Sequence, residues 1–316
     1  MAEFRTDPLR GQTVLINGQR GNRPSEFTLK IETPSPETCP FCRGHEAATP
    51  PSIEQDQTPD WTWRLFPNRY PAVSAEVVPL IENDFVLAAF GKHEVLVESA
   101  EHFGQACDYS IEHWVEIFRL WQRRLRAHYD DPAHRYVHIF RNQGYRGGAT
   151  LVHPHQQIVA LPLIPDYVTQ RLSLLENSRG GCSHCDWLEH ETADGARILE
   201  QDNETVCLVA FAPRFPFEWQ IYPRSHQRFD ALGDTQMTGL ARVLLAGLNA
   251  MKEACGNPDF NLILFSTPPG FGREMWGLDI LPRTSTQAGF EWGTGVHIVS
   301  TPPEEACLRI RAHWPK

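Results

Sequence analysis

The chain has 316 residues, of which 41% are hydrophobic and 22% are charged, and its formal net charge is −10. These values are typical of a soluble globular protein. Because the chain is acidic and has no dense run of Lys and Arg, we expect no polymeric nucleic acid as a partner. No stretch reaches the ~18–20 apolar residues of a membrane helix. The N-terminal sequence has no apolar signal core, so we expect a cytoplasmic protein without a membrane partner.

In the first half of the chain, several strands precede one helix and two more strands follow it. Alternating or continuous apolar runs predict strands at residues 76–81, 85–90 and 93–98, and the polar, Pro- and Gly-rich stretch before them contains one short apolar run at residues 14–16. Apolar residues recur at helical spacing between residues 110 and 129, which predicts an amphipathic helix. Two further strands are predicted at residues 136–141 and 151–161.

The second half repeats this order. Strands are predicted at residues 205–210 and 217–222, and a helix at 234–255 with Asp234 as its N-cap and Gly256 as its stop. Strands at residues 260–266 and 278–281 complete the half. A CxxC pair precedes each half's strands. We therefore predict a duplicated unit with loop insertions, divided into residues 1–170 and 171–316.

The most specific local motif is His153-Pro-His155-Gln-Gln157, which lies in an apolar run. Side chains two residues apart in a strand point the same way, so we expect His153, His155 and Gln157 to line one face. Pro154 has no N–H for a sheet ladder, which predicts an edge or a strand start. Three polar side chains on one face of an apolar strand are costly unless something binds them. A solvent-facing polar stripe is the alternative.

A glycine-rich segment from Gly144 to Thr150 leads directly into this strand. Backbone N–H groups of such a loop, including those at Gly147 and Gly148, point at phosphate in many proteins, and Arg146 adds positive charge. Beside the His-Pro-His motif, the loop favours a phosphate-binding site.

Four of the eight cysteines form two CxxC pairs, Cys39/Cys42 and Cys182/Cys185. In a chain without a secretion signal, such pairs indicate metal binding rather than disulfides. The first pair supplies half of a tetrahedral zinc site, and the repeat directs the search for the other half to His93 and one histidine of the His-Pro-His motif. If His153 binds the metal, His155 stays free. A zinc knuckle without a catalytic role is the alternative.

A free imidazole facing a phosphate loop suits covalent phosphorus chemistry. His155 would attack an α-phosphorus to give a nucleotidyl-histidine, and a phosphate-bearing acceptor would then collect the nucleotide in a ping-pong mechanism. Gln157 and the loop amides would stabilise the charge that develops on the phosphate oxygens.

These motifs resemble those of the galactose-1-phosphate uridylyltransferase family, the branch of the histidine-triad superfamily built from two fused copies. His153-Pro-His155-Gln-Gln157 is similar to the family's HPHxQ motif. Segments at residues 7–11, 20–24, 39–42, 66–71, 91–95, 142–150 and 288–295 match in order. The resemblance implies an α+β fold of two fused histidine-triad-like copies, each an antiparallel sheet with a packed helix.

The resemblance also implies roles for individual residues. Zinc would be bound by Cys39, Cys42, His93 and His153, and His155 would be the nucleophile. Gln157 would orient the phosphate, and Arg20 and Arg23 would contact phosphate. The nucleotide site would be lined by Asn68, Asn142, Gly148 and Thr150. Phe290 and Glu291 fall in the segment that helps to bind the sugar, in the family often across a homodimer interface.

The second half departs from the family pattern. The family's second copy has a His-Trp-His element, whereas this chain has Met275-Trp-Gly277, so Met275 aligns with His153 and Gly277 with His155. We therefore expect one active site per chain. A second zinc is a tentative prediction with Cys182, Cys185 and His226 as three ligands, because Met275 in the fourth place suits zinc poorly. The alternative fourth ligands are His184, His190 and Glu274.

Three functions are compatible with these motifs. The first is exchange of UMP between UDP-glucose and galactose 1-phosphate. The second uses inorganic phosphate as the acceptor, which makes the enzyme a nucleotide-sugar (for example ADP-glucose) or dinucleotide phosphorylase. His297 stands where the better-known transferases tend to carry a sugar-contacting glutamine, which bears on this choice. The third is an inactive zinc-stabilised nucleotide-binding module. Nucleotide sugars and sugar phosphates are the expected ligands.

Overall fold

The structure is a computed structural model that describes residues 2–17, 35–57, 60–76, 88–176 and 180–315. The strands are β1 (Ala2–Thr6), β2 (Thr13–Asn17), β3 (Glu54–Gln55), β4 (Arg64–Pro67), β5 (Lys92–Val97), β6 (Tyr136–Gln143), β7 (His155–Leu161), β8 (Ile198–Gln201), β9 (Thr205–Val209), β10 (Trp219–Pro223), β11 (Phe260–Ser266), β12 (Trp276–Pro282) and β13 (His297–Val299). The α-helices are α1 (Ile111–Tyr129), α2 (Asp166–Ser173), α3 (Ser183–Asp194), α4 (Asp234–Cys255), α5 (Gly289–Thr294) and α6 (Pro303–Arg311).

Ten of the strands form one antiparallel sheet in the order β3-β4-β5-β7-β6-β11-β12-β10-β9-β8. The first five strands of this order come from the first half of the chain and the last five from the second half. Read outward from the centre, β6-β7-β5-β4-β3 is matched by β11-β12-β10-β9-β8. The two copies are joined where β6 pairs with β11, from Phe260 opposite Gln143 to Leu264 opposite Ile139. The fold is thus α+β and built from two histidine-triad-like copies, as predicted; the boundary at residue 170 stays a prediction.

One large hydrophobic core lies between this sheet and the two long helices. Both α1 and α4 bury an apolar face, as their helical spacing predicts, and they contact each other. Ser110 caps α1, since its side chain accepts a hydrogen bond from the backbone N–H of His113. Gly256 ends α4 in the left-handed conformation, φ 73°. Fully buried Trp114, Trp121 and other large side chains fill the space between the layers.

A second, three-stranded sheet joins the two ends of the described chain. β1 pairs with β2 in antiparallel fashion, and β2 pairs with β13 in parallel from His297 opposite Val14 to Val299 opposite Ile16. The buried guanidinium of Arg10, which follows β1, binds Asp7 at 2.8 Å and Glu218 at 2.5 Å. The N-terminal segment is therefore fastened to the second half of the chain.

The structure changes two local predictions. The strand expected from residue 151 begins at His155, because Pro154 cannot donate to a ladder. Gly233, not Asp234, is the N-cap of α4, and Asp234 is its first helical residue. The expected strands at 76–81 and 85–90 fall almost wholly outside the described residues. Within the described ranges, no helix is long and apolar enough to cross a membrane.

Candidate active site and metal centres

His155 is the first residue of β7, and its side chain is 7% exposed. Its Nδ1 lies 2.9 Å from the carbonyl oxygen of His153. Because a carbonyl oxygen only accepts, Nδ1 carries the proton of the neutral ring and Nε2 carries the lone pair. Burial lowers the pKa of His155 and outweighs this hydrogen bond, which raises it. His155 is therefore a neutral imidazole whose basic atom is Nε2.

A cavity of about 350 Å³ opens beside His155. Its lining brings together four residues that the sequence assigned to the site, namely Asn68, Thr150, His155 and Gln157. Phe41, between the two cysteines of the first pair, also lines it, and its ring meets that of His155 edge-to-face with centroids 5.3 Å apart. An apolar wall with a few convergent polar groups is typical of a site for a small organic ligand.

The start of β7 is fixed by a buried ion pair. Arg141 Nε lies 2.8 Å from Oε1 of Glu98, and the Tyr109 hydroxyl donates to Oε2 of Glu98 at 3.0 Å. The backbone N–H of Glu98 donates to the carbonyl of Pro154 at 3.1 Å. Both charged side chains are almost wholly buried, so breaking this pair would leave an uncompensated charge next to His155.

Side chains on neighbouring strands hold the polar floor of the cavity. Nε2 of His93 lies 2.8 Å from Oε1 of Gln157 and 3.2 Å from Nδ2 of Asn68. The backbone N–H of Ala72 donates to Nδ1 of His93 at 3.0 Å, and that of Tyr70 donates to Oδ1 of Asn68 at 2.8 Å. Asn68 and Gln157 are thus oriented by the protein itself.

The glycine-rich loop is held from the second half of the chain. Asn261 on β11 donates from Nδ2 to Oδ1 of Asn142 at 2.9 Å and to the carbonyl of Gly147 at 2.6 Å. Asp259 accepts the backbone N–H of Arg146 at 2.7 Å. Gly144 has φ 74°, and a Cβ there would lie 1.8 Å from the Asp259 carboxylate, so this turn requires glycine. Sequence reasoning missed Asn261 on β11 and Asp259 just before it, because it did not foresee the pairing of β6 with β11.

Four potential metal ligands meet near the cavity: Cys39, Cys42, His102 and His153. Their ligand atoms all lie within 4.8 Å of one another. Nδ1 of His153 is 3.7 Å from Sγ of Cys39 and 3.5 Å from Sγ of Cys42, and Nδ1 of His102 is 3.2 Å from the latter. Sulfur and nitrogen ligands of tetrahedral zinc lie about 3.5 Å apart, given bond lengths of about 2.3 and 2.1 Å. The cluster fits zinc.

The orientation of His153 also suits a metal. Its Nε2 lies 2.7 Å from the carbonyl oxygen of Ser99, so Nε2 carries the proton and Nδ1 is the nitrogen that faces the sulfurs. Metal-binding histidines commonly donate their second nitrogen in this way, which fixes the ring. His153 precedes β7 and is fully buried, so it does not share the strand face of His155 and Gln157 as predicted.

His102 takes the place in this cluster that the sequence assigned to His93. In the β5–β7 register, Val97 is opposite His155 and His93 is opposite Val159. His93 therefore lies four residues, about 13 Å, along the strand from the His155 end. The chain returns to that end only after β5, where His102 follows. Knowledge of the β5–β7 register would have identified His102, but the register cannot be read from the spacing of residues in the sequence.

A second cluster contains Cys182, Cys185 and His226. Nε2 of His226 lies 3.1 Å from Sγ of Cys182 and 3.2 Å from Sγ of Cys185. Among the described residues, no fourth Cys, His, Asp or Glu joins this group, so His184, His190 and Glu274 do not complete it. Met275 is 2% exposed and belongs to an apolar cluster. This cluster offers three ligands where the first offers four.

Among the described residues, four of the predicted substrate residues do not line this cavity: Asn142, Gly148, Phe290 and Glu291. Arg20 and Arg23 lie outside the described residues. Phe290 and Glu291 belong to α5, where the Phe290 ring is 44% exposed and Glu291 accepts the N–H of Ala288 at 2.9 Å. Asn142 and Gly148 lie on the held loop and its strand, next to cavity-lining Thr150 rather than on the cavity wall.

Residues 1–165, just over half of the chain, match the family model described as galactose-1-phosphate uridyl transferase, N-terminal domain. The chain belongs to this family. A second model, described as a domain of unknown function (DUF4921), matches residues 97–314 and so extends across both copies.

Members and relatives of the family are similar over nearly the whole chain. ADP-glucose phosphorylase of Arabidopsis thaliana is 29% identical over 98% of this chain and 92% of its own length. Galactose-1-phosphate uridylyltransferase of Thermotoga maritima is 28% identical over 98% of both chains. The solved structure of the Arabidopsis phosphorylase with bound ADP-glucose has a TM-score of 0.82 at 27% identity, covering 98% of this chain and 99% of that one. A solved uridylyltransferase has a TM-score of 0.76 at 26% identity, covering 99% and 98%. This family member is an enzyme of the galactose-1-phosphate uridylyltransferase-like kind.

Proposed function

We propose that the chain transfers a nucleoside monophosphate from a nucleoside diphosphate sugar to a phosphate-bearing acceptor, with His155 as the covalent nucleophile. The observation that carries this proposal is the neutral His155 imidazole beside the cavity. Its Nδ1 proton is committed to the His153 carbonyl, and its Nε2 lone pair remains for attack. An inactive binding module would not need this arrangement.

The proposed reaction has two displacements. Nε2 attacks the α-phosphorus, an N–P bond forms, and the bond to the bridging oxygen breaks, so that sugar 1-phosphate leaves with the electron pair. An oxygen of the acceptor phosphate then attacks the same phosphorus, the N–P bond breaks, and the ring regains its lone pair. Gln157 and the loop amides would donate to the oxygens that gain charge.

Zinc would be held by Cys39, Cys42, His102 and His153 in this proposal. There the metal would supply structural stability. His153 is joined to His155 through Pro154, so the residues that hold the metal also fix the start of β7. The spacing of two residues lets one histidine serve the metal while the next faces the cavity.

For the acceptor, we favour inorganic phosphate, with ADP-glucose as a donor. The likeness to the Arabidopsis ADP-glucose phosphorylase, at a TM-score of 0.82 against 0.76 for the uridylyltransferase, supports this choice. His297 supports it too: it replaces the sugar-contacting glutamine that the better-known transferases tend to carry, and its Nδ1 lies 2.9 Å from Nε2 of Gln287. Uridylyl exchange with galactose 1-phosphate is the second candidate, which the likeness to the Thermotoga enzyme favours.

The test is intact-mass spectrometry of the protein after incubation with ADP-glucose or UDP-glucose alone. We expect a mass gain of one nucleoside monophosphate, absent in His155→Ala and retained in His313→Ala, a histidine replacement at an exposed residue. Adding phosphate or galactose 1-phosphate then shows which acceptor removes the adduct. If neither sugar nucleotide gives an adduct on the wild-type protein, the proposal is wrong.

We further propose that the enzyme is a homodimer in which Phe290 and Glu291 of one subunit reach the sugar in the other. Trp292, on the same short helix, is 76% exposed, which suits a surface that another chain covers. Analytical ultracentrifugation of wild type and Trp292→Glu tests this, since a buried charge would favour the monomer. A monomeric wild type would contradict it. A cytoplasmic location stays a prediction.

A further inference from the structure

His93 occupies a central place among the polar groups of the cavity floor. It lies on β5, directly beside β7, and its ring is half-buried. One ring nitrogen faces the backbone and the other faces Gln157, at 3.0 and 2.8 Å. The metal cluster does not include it. Its contacts therefore require an explanation other than metal binding.

The backbone determines which nitrogen of this ring carries the proton. The N–H of Ala72 points at Nδ1, and a backbone N–H only donates. Nδ1 must therefore be the unprotonated nitrogen, and the proton of the neutral ring is on Nε2. Burial lowers the pKa of His93 and outweighs the hydrogen bond to Gln157, which agrees with a neutral ring. Nε2 is consequently a donor.

This donor fixes the orientation of the Gln157 amide. A glutamine amide has an oxygen that accepts and a nitrogen that donates, and its two flipped orientations have almost the same shape. With Nε2–H of His93 at 2.8 Å, the Gln157 oxygen must face His93. The amide nitrogen is then directed away from His93, and Gln157 lines the cavity. Nδ2 of Asn68 lies farther from Nε2, at 3.2 Å, and cannot accept its proton because an amide nitrogen only donates; Oδ1 of Asn68 accepts the N–H of Tyr70.

We propose that His93 is a positioning residue that sets Gln157 to donate to the transferred phosphate. The proposal rests on the function proposed above, because it assumes that an α-phosphate is bound beside His155. If the amide were flipped, its oxygen would face the phosphate oxygens, and an attractive contact would become a repulsive one. The hydrogen bonds from the Ala72 N–H to His93 and from His93 to Gln157 thus orient the Gln157 amide nitrogen as a donor at the site.

Two replacements of His93 separate this role from simple packing. In His93→Gln, the side-chain amide nitrogen takes the approximate place of Nε2 and keeps a donor for Gln157. His93→Leu has similar bulk but no donor. The measurement is the rate constant of nucleotidyl-adduct formation in a single turnover, with the dissociation constant for the sugar nucleotide determined in the same titration. Loss of a hydrogen bond to a charged group such as a phosphate corresponds to about 10- to 100-fold in rate.

We expect His93→Leu to slow adduct formation by about 10- to 100-fold while changing the dissociation constant much less, and His93→Gln to recover most of the rate. In a Gln157→Ala background the same His93→Leu change should have almost no further effect, because its target is gone. The zinc content of all these variants should equal that of the wild type.

Three outcomes would overturn the inference. One is an equal loss in His93→Leu and His93→Gln, and another is an undiminished effect in the Gln157→Ala background. The third is loss of zinc in His93→Leu, which would return His93 to the metal site. A wild-type protein that forms no adduct would instead refute the proposed function, so the two failures are distinguishable.

Discussion

The two copies use matching strands, yet their site faces differ completely. Ile158 of β7 and Ile280 of β12 pack into the same core, so the residues one position away point to the opposite face of each strand. In the first copy that face carries His155 and Gln157. In the second copy the corresponding residues are Gly277, which the sequence alignment of the copies placed opposite His155, and Asp279, two residues further along β12.

Where the first copy has a cavity, the second has side chains. A Cβ on Gly277 would lie 2.7 Å from the ring of Tyr222 and 3.3 Å from a guanidinium nitrogen of Arg171. Asp279 accepts from Gln220 at 2.8 Å and pairs with Arg214 at 3.1 Å and Arg171 at 3.4 Å. The space that forms an open cavity in the first copy is filled in the second by the side chains of Arg171, Arg214 and Tyr222.

The difference shows how a duplicated site becomes structural. Three acidic and three basic side chains, all buried except the half-buried Arg214, make up the network around this position: Asp7, Glu218, Asp279, Arg10, Arg171 and Arg214. Their charges balance, whereas the matching strand of the first copy presents the neutral side chains of His155 and Gln157 to its cavity. A ligand site leaves donors unpaired until the ligand arrives, and a structural site pairs them permanently.

The largest expected contrast lies in the two metal clusters. Cys39→Ser should abolish zinc binding by four buried or half-buried ligands, and structural zinc contributes about 10 kcal/mol or more to folding. Cys182→Ser should cost much less, because that cluster has three ligands and an exposed histidine. Metal analysis with thermal unfolding of both variants gives the comparison. Equal destabilisation by the two changes would contradict it, and two zincs per wild-type chain would establish that the second cluster is occupied.

The next largest effect should come from Asp279→Asn, which leaves Arg171 and Arg214 short of a buried anion. We expect a loss of about 3–5 kcal/mol in the free energy of unfolding at pH 7. Asp234→Asn, at an exposed ion pair with Arg119, is the matched control and should cost less than about 1 kcal/mol. Chemical denaturation measures both. A loss for Asp279→Asn no larger than the control's would show that the network is not structural.

The same carboxylate predicts a pH dependence. Burial opposes ionisation of Asp279, but Arg171 and Arg214 outweigh it, so the pKa of this carboxyl is lowered in the folded protein. A lowered pKa stabilises the fold above the unfolded value of about 3.9, and that contribution is lost as the pH falls toward the folded value. The stability difference between wild type and Asp279→Asn should therefore shrink below about pH 4. A difference that stays constant from pH 7 to pH 3 would contradict this assignment.

A smaller effect is expected at Gly277. Replacement by alanine puts a methyl group against the buried Tyr222 ring and should cost about 1–3 kcal/mol, as overpacking does. Gly239→Ala on α4, where a Cβ meets nothing within 4 Å, is the control and should be neutral or stabilising. Denaturant titration of the two variants tests whether the second site is closed, since an open site would accept both methyl groups equally.

The smallest effect concerns the contact between the copies. Asn261→Ala removes the two hydrogen bonds to Asn142 and Gly147, and we expect adduct formation to slow by about 10-fold because the phosphate loop loses its support. Asn249→Ala, on the α4 surface, should leave the rate unchanged. If Asn261→Ala also leaves the rate unchanged, the second copy does not contribute to the site through this residue.

Much of the fold was predictable because it depends on local pattern. The helices ending at Tyr129 and Cys255 follow from apolar spacing, and the two β strands after each helix from short apolar runs. Order along the chain indicated the duplication. The union of both copies into one sheet was not predictable, since β6–β11 pairing depends on contacts between residues more than a hundred positions apart.

The site was predictable where one short motif carried it. His155, Gln157 and three of the four clustered metal-ligand candidates lie in two local motifs. His102 was missed, and His93 was placed in its role, because strand register decides which end of β5 approaches the metal. Asn261 and Asp259 gave no sequence signal, since an Asn or Asp beside a strand has many uses.

The pairing of β2 with β13 has a consequence for synthesis on the ribosome. β2 ends at Asn17, but its parallel partner β13 begins only at His297. Arg10 likewise forms its ion pair with Glu218, which is synthesised much later. About 280 further residues must leave the exit tunnel before the first strands find their neighbours, and at 5–20 residues per second that takes tens of seconds. Throughout this interval the edge of β2 that later pairs with β13 is exposed on the nascent chain. An exposed strand edge can bind a chaperone or associate with another chain.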